Sequence, residues 1–288
     1  MNTYVDKYFI NANSVDEIPE KIYSKLTPLL DAVAALSQST NKCVYVIDYL
    51  KKNFMFVSPN VDTILGISSE DMLSMGYKYH IEHVPKEDRE MILELNKKGF
   101  EFFDQTPLEK RKKLSMSYDF HIINKDGNMI MVHHTLTSLL LTKKGRIWLA
   151  LCTMSLSSAT ESGNIYLQQE GSDIFHEYNL TTHNWRQCKR PKLNTTEYAL
   201  LSMTIQGYSI EEISQSRNIP INTLKSSKRL LFKKFGVNNI SGAITYAQNY
   251  RLIWGKFYEL RQYSKEKTAK CFIIKHLAAP GCTQSRDR

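Results

Sequence analysis

The sequence predicts two folded units in series: an α+β domain built on an antiparallel sheet with flanking helices, then a small all-α domain. Three observations support this fold class. Residues 42–157 contain short runs of β-branched and aromatic residues on either side of several helical patterns. Residues 193–253 show only helical periodicity, with glycine and proline at turn positions. Residues 1–192 contain equal numbers of basic and acidic side chains, so the whole net charge of +9 comes from residues 193–288.

The composition excludes several classes of protein. With 288 residues, 42% of them hydrophobic, the chain is long enough to build cores for two domains. The five cysteines are scattered and never form a CxxC pair, which argues against a disulfide framework or a zinc site. The polar N-terminus lacks the features of a signal peptide, and no apolar run approaches the roughly 20 residues of a membrane-spanning helix. We therefore expect a cytoplasmic protein without a membrane partner.

Residues 1–41 are an N-terminal segment with one predicted amphipathic helix. The helix is expected over residues 16–38, with Pro19 tolerated in its first turn. Its apolar stripe consists of Ile22, Leu26, Leu29, Leu30, Val33 and Leu36. Such a stripe either forms one side of a core or contacts a second copy of the chain, and the sequence favours neither interpretation over the other.

Residues 42–157 are predicted to contain two strands, several helices and then three more strands. The first two strands cover residues 44–47 and 54–57. Helices are expected over residues 60–65, 69–74 and 87–103, the first two of which end at Gly66 and Gly76. The last strands, over residues 114–124, 129–142 and 147–155, are joined by short turns and therefore form a meander.

The order of these elements resembles the PAS family, and three stretches of sequence carry the resemblance. They are VIDYLKKNFMFVSPNVDTILGISSEDML, HVPKEDR and YDFHIINKDGN. PAS domains are sensory or dimerising modules. The resemblance therefore implies a signal receiver for a small-molecule ligand or a protein partner, and it does not identify that ligand.

The α+β domain shows no local pattern for catalysis or for a bound cofactor. By residue type, the candidate haem or metal ligands of this domain are His80, His83, His121, His133 and His134. Because His133 and His134 are adjacent in a predicted strand, their side chains point to opposite faces and cannot line one pocket. The local sequence lacks the cysteine motif of flavin-binding photosensory PAS domains, a Ser-His-Asp arrangement and a glycine-rich phosphate loop. We predict no enzyme, no metal site and no identified cofactor.

Residues 158–192 are predicted to be a linker. The stretch SSATESG opens it with small and polar residues that are typical of loops. A hairpin over residues 174–179 and 185–189 is expected within it.

Residues 193–253 are predicted to contain short helices joined by a tight turn. Thr195 or Thr196 is expected to cap the first helix, and Gly207 to end it. Ser209 followed by Glu212 is a capping box that opens a second helix. Residues 219–220 make a turn, and a third helix runs from residue 221 or 222 to Gly236.

The third helix has two chemically different faces. Ile221, Leu224, Leu231, Phe232 and Phe235 gather on the apolar face. The opposite face carries amide, hydroxyl, lysine and arginine groups, which are suited to base edges and phosphates in a DNA major groove. We call this surface the recognition face: helical spacing places Asn222, Lys225, Ser226, Arg229 and Lys233 on it, and Thr223 is assigned to it because it matches the family pattern described next.

The same stretch resembles the LuxR-type (GerE-type) DNA-binding domain without a gap. The matching residues are Leu193, Glu197, Gly207, Ser209, Glu212, Ile213, Thr223, Lys225, Lys234, Gly236, Val237 and Ala243. The resemblance implies a helix-turn-helix motif from Ser209 to Lys228, with Lys225, Ser226 and Arg229 facing the bases. It also implies that the last helix, residues 241–250, forms a dimer contact on DNA. Four positions depart from the family pattern: Arg217, Pro220, Ser227 and Leu230.

These resemblances imply a bacterial transcription regulator that binds double-stranded DNA as a homodimer, with RNA polymerase as a further candidate partner. Two alternatives remain at this point. The PAS-like domain could recruit a protein partner without sensing a small molecule. The helical domain could instead resemble region 4 of sigma factors, although nothing before Leu193 resembles the rest of a sigma factor. The basic tail, residues 254–288, is predicted to add nonspecific attraction to phosphates.

Overall fold

The computed structural model describes residues 7–15, 17–189 and 191–253. The predicted role of the tail, residues 254–288, therefore lies outside the described residues. No helix within the described ranges is long and apolar enough to cross a membrane.

A single eight-stranded antiparallel sheet dominates the first part of the chain. Its strands are β1 (Cys43–Asp48), β2 (Asn53–Val57), β3 (Leu114–Ile123), β4 (Met129–Leu141), β5 (Ile147–Leu156), β6 (Gly163–Gln169), β7 (Ile174–Asn179) and β8 (Asn184–Lys189). The strand order across the sheet is β2-β1-β5-β4-β3-β6-β7-β8. The predicted meander at residues 114–155 forms strands β3, β4 and β5. These strands lie in the middle of the sheet, because β5 also pairs with β1 and β3 also pairs with β6.

Helices lie before, between and after the strands. They are α1 (Glu20–Tyr23), α2 (Thr27–Gln38), α3 (Val61–Leu65), α4 (Ser69–Met75), α5 (Tyr77–Glu82), α6 (Lys86–Gln105), α7 (Leu108–Arg111), α8 (Thr195–Ile205), α9 (Ile210–Arg217), α10 (Ile221–Phe235) and α11 (Ile240–Asn249). Gly66 and Gly76, at the ends of α3 and α4, have φ angles of 69° and 65°. Glycine suits both positions because positive φ is strained for other residues.

The predicted linker is the main difference between the sequence-based architecture and the structure. Residues 163–189 add β6, β7 and β8 to the sheet, and β6 pairs directly with β3. Ile165 and Leu167 are buried at alternate positions of β6 and contribute to the sheet's core. The strand begins at Gly163 and Asn164, whose φ angles are 129° and 49°. Both residue types are typical of loops, so the sequence predicts a loop here. The expected hairpin is the β7–β8 pair, and it continues the sheet instead of standing alone.

The two faces of the sheet bury different residues of the same strand. On β1, Tyr45 and Ile47 face the core that lies under α6, whereas Val44 and Val46 face α2. This alternation follows from the two-residue period of a strand. Because both faces are covered, every residue of β1 is buried.

The predicted helix over residues 16–38 is two helices with a break at residues 24–26. Pro28 lies in the first turn of α2, where no backbone N–H is needed for a helical hydrogen bond. In a helix that continued through residue 28, the missing N–H would cost one hydrogen bond. From the predicted stripe, Leu26 and Val33 pack against the sheet. Ile22 and Leu36 remain 37% and 58% exposed, so only part of the stripe belongs to the core.

Helices α8 to α11 enclose a second core. Leu201 of α8, Ile213 of α9 and Leu224 of α10 meet there, and each is fully or almost fully buried. Ala243 and Ala247 of α11 are also buried in this core, so they pack inside their own domain. The all-α domain of the sequence analysis is therefore present as a compact helical unit.

Candidate nucleic-acid interface

The recognition face lies on one side of α10, opposite the helix surface that packs into the domain. Leu224, Leu231 and Phe235 are buried against the neighbouring helices. The six predicted residues are all exposed: Asn222, Thr223, Lys225, Ser226, Arg229 and Lys233. The structure thus brings every predicted site residue onto one accessible surface.

The motif that carries α10 is fixed by hydrogen bonds at its corners. Ser209 and Glu212 form the predicted capping box: the Glu212 backbone N–H donates to Ser209 Oγ at 3.2 Å, and the Ser209 N–H donates to Glu212 Oε2 at 2.7 Å. At the other end of α9, Asn218 adopts the left-handed conformation, and Ser214 Oγ donates to the Ile219 carbonyl at 2.6 Å. The turn into α10 is therefore rigidly held, which fixes the angle at which α10 leaves it.

The cap of α8 differs from the prediction. Asn194, and neither Thr195 nor Thr196, is the N-cap residue, and it forms a capping box with Glu197. Asparagine accepts this bond as well as threonine does, and placing it at the cap leaves both threonines within the first turn. Glu197 also bonds to Lys234 at 3.0 Å, so the first helix is tied to the end of α10.

The charges of the recognition face are available for a partner. Within the described part of the chain, Lys225, Arg229 and Lys233 form no salt bridge, whereas Lys234 of the same helix pairs with Glu197. Exposed cations of this kind attract phosphate oxygens over several ångströms and donate hydrogen bonds at contact. The surface is therefore suited to a polyanion.

Leu230 is an apolar residue on this charged surface, with 66% of its area exposed. Helical spacing places it one turn after Ser226, on the same side of α10. In the sequence, Leu230 departs from the family pattern, and its spacing of four residues from Ser226 indicates a position on the recognition face.

The α+β domain encloses a small aromatic cavity of about 30 Å³. α6 contributes Phe100, Phe103 and the buried amide of Asn96 to its wall, and the sheet contributes Tyr118. Gly99 allows α6 to approach the sheet closely, because a Cβ atom there would lie 2.8 Å from the Met116 sulfur. Tyr8 also lines the cavity, although it precedes the predicted α+β domain by more than thirty residues and was not recognised from the sequence.

The adjacent histidines point to opposite faces of the sheet, as predicted. His134 lies in the main core against the rings of Tyr45 and Tyr118. His133 contacts Asp119, with 2.9 Å between Nδ1 and Oδ1. No cluster of three or more metal-binding side chains occurs among the described residues, and the His80 side chain lies outside them.

Asp88, His121 and Ser162 come together from distant parts of the sequence, which local patterns did not reveal. Ser162 Oγ lies 2.7 Å from Asp88 Oδ2 and 2.9 Å from His121 Nδ1, and the same Nδ1 lies 3.0 Å from Asp88 Oδ2. A catalytic triad needs its serine and its acid on opposite ring nitrogens, whereas here both contact Nδ1. The cluster therefore anchors the segment after β5 to the α+β domain, and its geometry does not form a nucleophilic relay.

The helical domain is docked on the sheet through α11 and the residue after it. Ser158 Oγ donates to the Gly242 carbonyl at 3.0 Å, and Ser155 Oγ donates to Asn249 Oδ1 at 3.3 Å. The Tyr250 ring meets the His133 ring edge to face, with 5.3 Å between ring centroids, and the Tyr250 hydroxyl donates to the Asn164 carbonyl at 3.2 Å. One flank of α11, at Gly242 and Asn249, therefore contacts the residues at the end of β5, whereas Ser241 and Gln248 of the same helix are exposed.

Two protein families match separate parts of this chain. Residues 54–154 match the family described as PAS fold. Residues 191–247 match the family described as bacterial regulatory proteins, luxR family. No curated protein sequence matches the chain significantly.

Several solved structures are similar at low sequence identity. The Vibrio cholerae VqmA dimer in the absence of target DNA is 16% identical, with 76% of this chain and 87% of that chain covered and a TM-score of 0.30. The VqmA–ligand–DNA complex from the same organism is 14% identical, with 78% and 89% covered and a TM-score of 0.30. A PAS domain from Colwellia psychrerythraea is 15% identical, with 44% and 96% covered and a TM-score of 0.33.

Proposed function

We propose that this chain, which carries a PAS domain and a LuxR-type helix-turn-helix domain, is a sequence-specific transcription regulator that binds double-stranded DNA as a homodimer under the control of its PAS domain. The observation that carries the proposal is the recognition face. Its six polar and basic residues are exposed together on α10, and the buried apolar side of the same helix fixes their orientation.

The chemistry of the recognition face supports base reading as well as phosphate attraction. Arg229 and Lys225 can donate to guanine O6 and N7 in a major groove, and Asn222 can both donate to and accept from adenine. Lys233 lies nearer the end of α10, where contact with the phosphate backbone is the expected role. We assign direct base contacts to Lys225, Ser226 and Arg229, and supporting contacts to the other three.

Dimerisation follows from the small size of a single helix-turn-helix unit. One unit buries too little surface for high specific affinity, and two recognition helices about one turn of DNA apart supply the rest. The preferred site should therefore be an inverted repeat. In the LuxR-type family the last helix of the domain forms the dimer contact. Helix α11 occupies that position in this chain.

The docked arrangement supports a route by which the PAS domain could control dimerisation. The flank of α11 that carries Gly242 and Asn249 contacts Ser158 and Ser155, and Tyr250, the next residue, contacts Asn164, so a second α11 cannot approach that flank in the docked state. A ligand or partner that binds the undocked state more tightly than the docked state would release α11. It shifts the equilibrium between the two states only by the difference between its two affinities.

Selection of bound sequences from a random double-stranded DNA pool tests the proposal. The expected product is a pair of inverted half-sites, and replacement of Arg229 by alanine should relax the preference at one base pair of each half-site. Lys144, a lysine of the β4–β5 turn outside the helical domain, provides the control variant Lys144→Ala, which should select the same sequence. Recovery of no common sequence by the intact chain would overturn the proposal.

A second candidate function is recruitment of a protein partner without small-molecule sensing. The cavity of about 30 Å³ favours it, because that volume holds one or two water molecules whereas ligand pockets usually exceed about 300 Å³. RNA polymerase is one partner that such a module could recruit. Mass spectrometry of the purified full chain separates the two functions: a small molecule that dissociates on denaturation supports sensing, and its absence together with partner capture supports recruitment.

A further inference from the structure

A cleft of about 1180 Å³ lies between the PAS domain and the helical domain, and it is far larger than the aromatic cavity. Residues 39–42, before β1, and residues 155–158, at the end of β5, form the walls on the PAS side. Thr245, Gln248, Asn249 and Arg251 form the wall on the helical side. Because each domain supplies part of the wall, the cleft has this shape only in the docked arrangement.

The wall of the cleft is positively charged. Lys42 on the PAS side and Arg251 on the helical side are its two cations, and no acidic side chain occurs among the described residues that line it. Nearly all the other lining residues carry a hydroxyl or an amide, and both groups donate hydrogen bonds. An arginine, a lysine and neutral donors around one space form a set of groups that suits a phosphate.

Lys42 is half-buried in this wall without an anion. Its ammonium forms no hydrogen bond and no salt bridge with the described residues. The pKa of Lys42 lies below its ordinary value, first because burial removes water from the ammonium and second because the Arg251 guanidinium repels it. Desolvation and a neighbouring like charge both disfavour the charged form. An anion between the two cations would offset both costs.

The end of α11 fixes the position of Arg251. The Leu252 N–H donates to the Ala247 carbonyl at 2.8 Å, and the Arg251 N–H donates to the Gln248 carbonyl at 3.1 Å, which is the pattern of a Schellman turn. Arg251 adopts the left-handed conformation, φ 55°, at the position of this turn where glycine is preferred. The backbone here therefore favours glycine, whereas the chain supplies a guanidinium to the cleft.

We propose that this cleft binds a small phosphate ester, whose phosphate group contacts Arg251 and Lys42. A guanidinium can form two parallel hydrogen bonds with a phosphate, and an ammonium adds a compact charge from the opposite wall. The cleft is much larger than a phosphate ion, so it also has room for the organic part of the ester. The hydroxyl and amide groups of the wall, such as those of Thr245 and Gln248, are suited to that polar part.

The two cations belong to different domains, so the bound ester would hold these domains together. It binds the docked state, in which Lys42 and Arg251 share one cleft, more tightly than the undocked state, in which they separate. It favours docking only by the difference between these two affinities. The resulting effect on DNA binding rests on the proposed function, whereas the binding of the ester does not.

The first test uses inorganic phosphate and the full chain, with sodium chloride added to keep the ionic strength constant. The melting temperature of the wild type should rise with phosphate and reach a plateau. Lys42→Gln and Arg251→Gly should each need at least about tenfold more phosphate for the same rise, because each loses a charge-assisted contact. Arg251→Gly should fold, since glycine suits the left-handed backbone of this position.

Lys125→Gln is the matched control, because Lys125 is an exposed lysine of the β3–β4 turn outside the cleft. It should respond to phosphate as the wild type does. The proposal is overturned if the wild type does not respond, or if Lys42→Gln responds as strongly as Lys125→Gln. A loss of the response in Arg229→Ala but not in Lys42→Gln would place the phosphate on the recognition face and would also overturn it.

The second test measures the DNA affinity of the full chain with and without phosphate at the same ionic strength. With phosphate at about nine times its midpoint concentration, the DNA affinity of the wild type should fall by up to about tenfold, because the docked state is stabilised. Lys42→Gln should lose much less affinity, and an equal loss in both proteins would show that phosphate does not act through docking. If the chain binds no DNA but phosphate still stabilises it through Lys42 and Arg251, the proposed function fails and the phosphate site stands.

Discussion

At the scale of single residues, Arg229 and Lys233 lie one turn apart on α10, and their different positions predict different effects on DNA binding. If Arg229 reads guanine, Arg229→Ala should cost about 1–3 kcal/mol of binding free energy and relax the preference at that base pair. Lys233→Ala should weaken binding to all DNA sequences alike and reduce the slope of log affinity against log salt concentration by about 1. Titrations of selected and scrambled DNA at several salt concentrations measure both effects. Unchanged affinity and preference for Arg229→Ala would show that the recognition face is assigned wrongly.

The exposure of Leu230 predicts a contact with a thymine methyl group. In the major groove an apolar side chain distinguishes thymine by its methyl, and burying one such group contributes about 0.8 kcal/mol, roughly a fourfold change in affinity. Thymidines of the selected site can be replaced by deoxyuridine one at a time. At one position this replacement should lower the affinity of the wild type by the same roughly fourfold factor.

The variant Leu230→Ala is the control for that experiment, since it should be indifferent to the same substitution. Uracil and thymine differ only by the methyl group, so hydrogen bonding to the base is unchanged. Wild-type binding that tolerates deoxyuridine at every thymine would exclude the contact.

At the scale of elements, the capping box of α9 makes helix stability depend on pH. The Ser209 backbone N–H donates to the Glu212 carboxylate, and this bond lowers the pKa of Glu212 below its ordinary value of 4.5. A group with a depressed pKa in the folded state stabilises the fold above its unfolded pKa, and that contribution disappears as the pH falls through the folded pKa. The wild type should therefore unfold at a higher temperature than Glu212→Gln at pH 7, and the difference should shrink below about pH 4. A difference that does not change between pH 7 and pH 3 would contradict this role.

Helix α2 offers a matched pair of substitutions that separates its packed side from its exposed side. Val33 is 5% exposed against the sheet, so Val33→Asp buries a charge and should lower the free energy of unfolding by about 3 kcal/mol or more. Leu36 is 58% exposed, so Leu36→Asp should stay within about 0.5 kcal/mol of the wild type. Chemical denaturation measures both values, and similar losses for the two variants would refute this placement of α2.

At the scale of the whole molecule, the docking of α11 predicts that the PAS domain restrains the helix-turn-helix domain. The double variant Ser155→Ala/Ser158→Ala removes two interdomain hydrogen bonds without changing the helical domain. Each bond contributes about 1 kcal/mol, so undocking should become up to about thirtyfold more favourable, with a comparable gain in dimerisation and DNA affinity. Sedimentation and DNA titration provide the measurements. Ser157→Ala is the control, because Ser157 Oγ accepts a hydrogen bond from the Ala159 N–H within its own loop.

The parts of the fold that local chemistry determines were predictable from the sequence, and the parts that depend on distant contacts were not. Ser209, Glu212 and Gly236 mark helix ends by their own hydrogen-bonding and backbone preferences, so the bounds of α9 and α10 follow from the sequence. The exposed side of α10 follows from its periodicity in the same way. The position of Tyr8 could not be predicted in this way, because its backbone carbonyl is held by the side-chain amide of Asn96, 88 residues away. Strand β6 was missed because Gly163 and Asn164 have the composition of a loop, and only pairing with β3 makes the segment extended.

The continuity of the sheet through β6, β7 and β8 limits how evolution or an engineer could exchange the output domain of this protein. A chimaera joined near residue 158 would retain β3 but lose its partner β6, and it would expose an unpaired strand edge. Such an edge is a template for pairing between chains, so these chimaeras should aggregate. A junction between β8 and α8, at residues 191–194, keeps all eight strands together, and recombination within this lineage should be tolerated there.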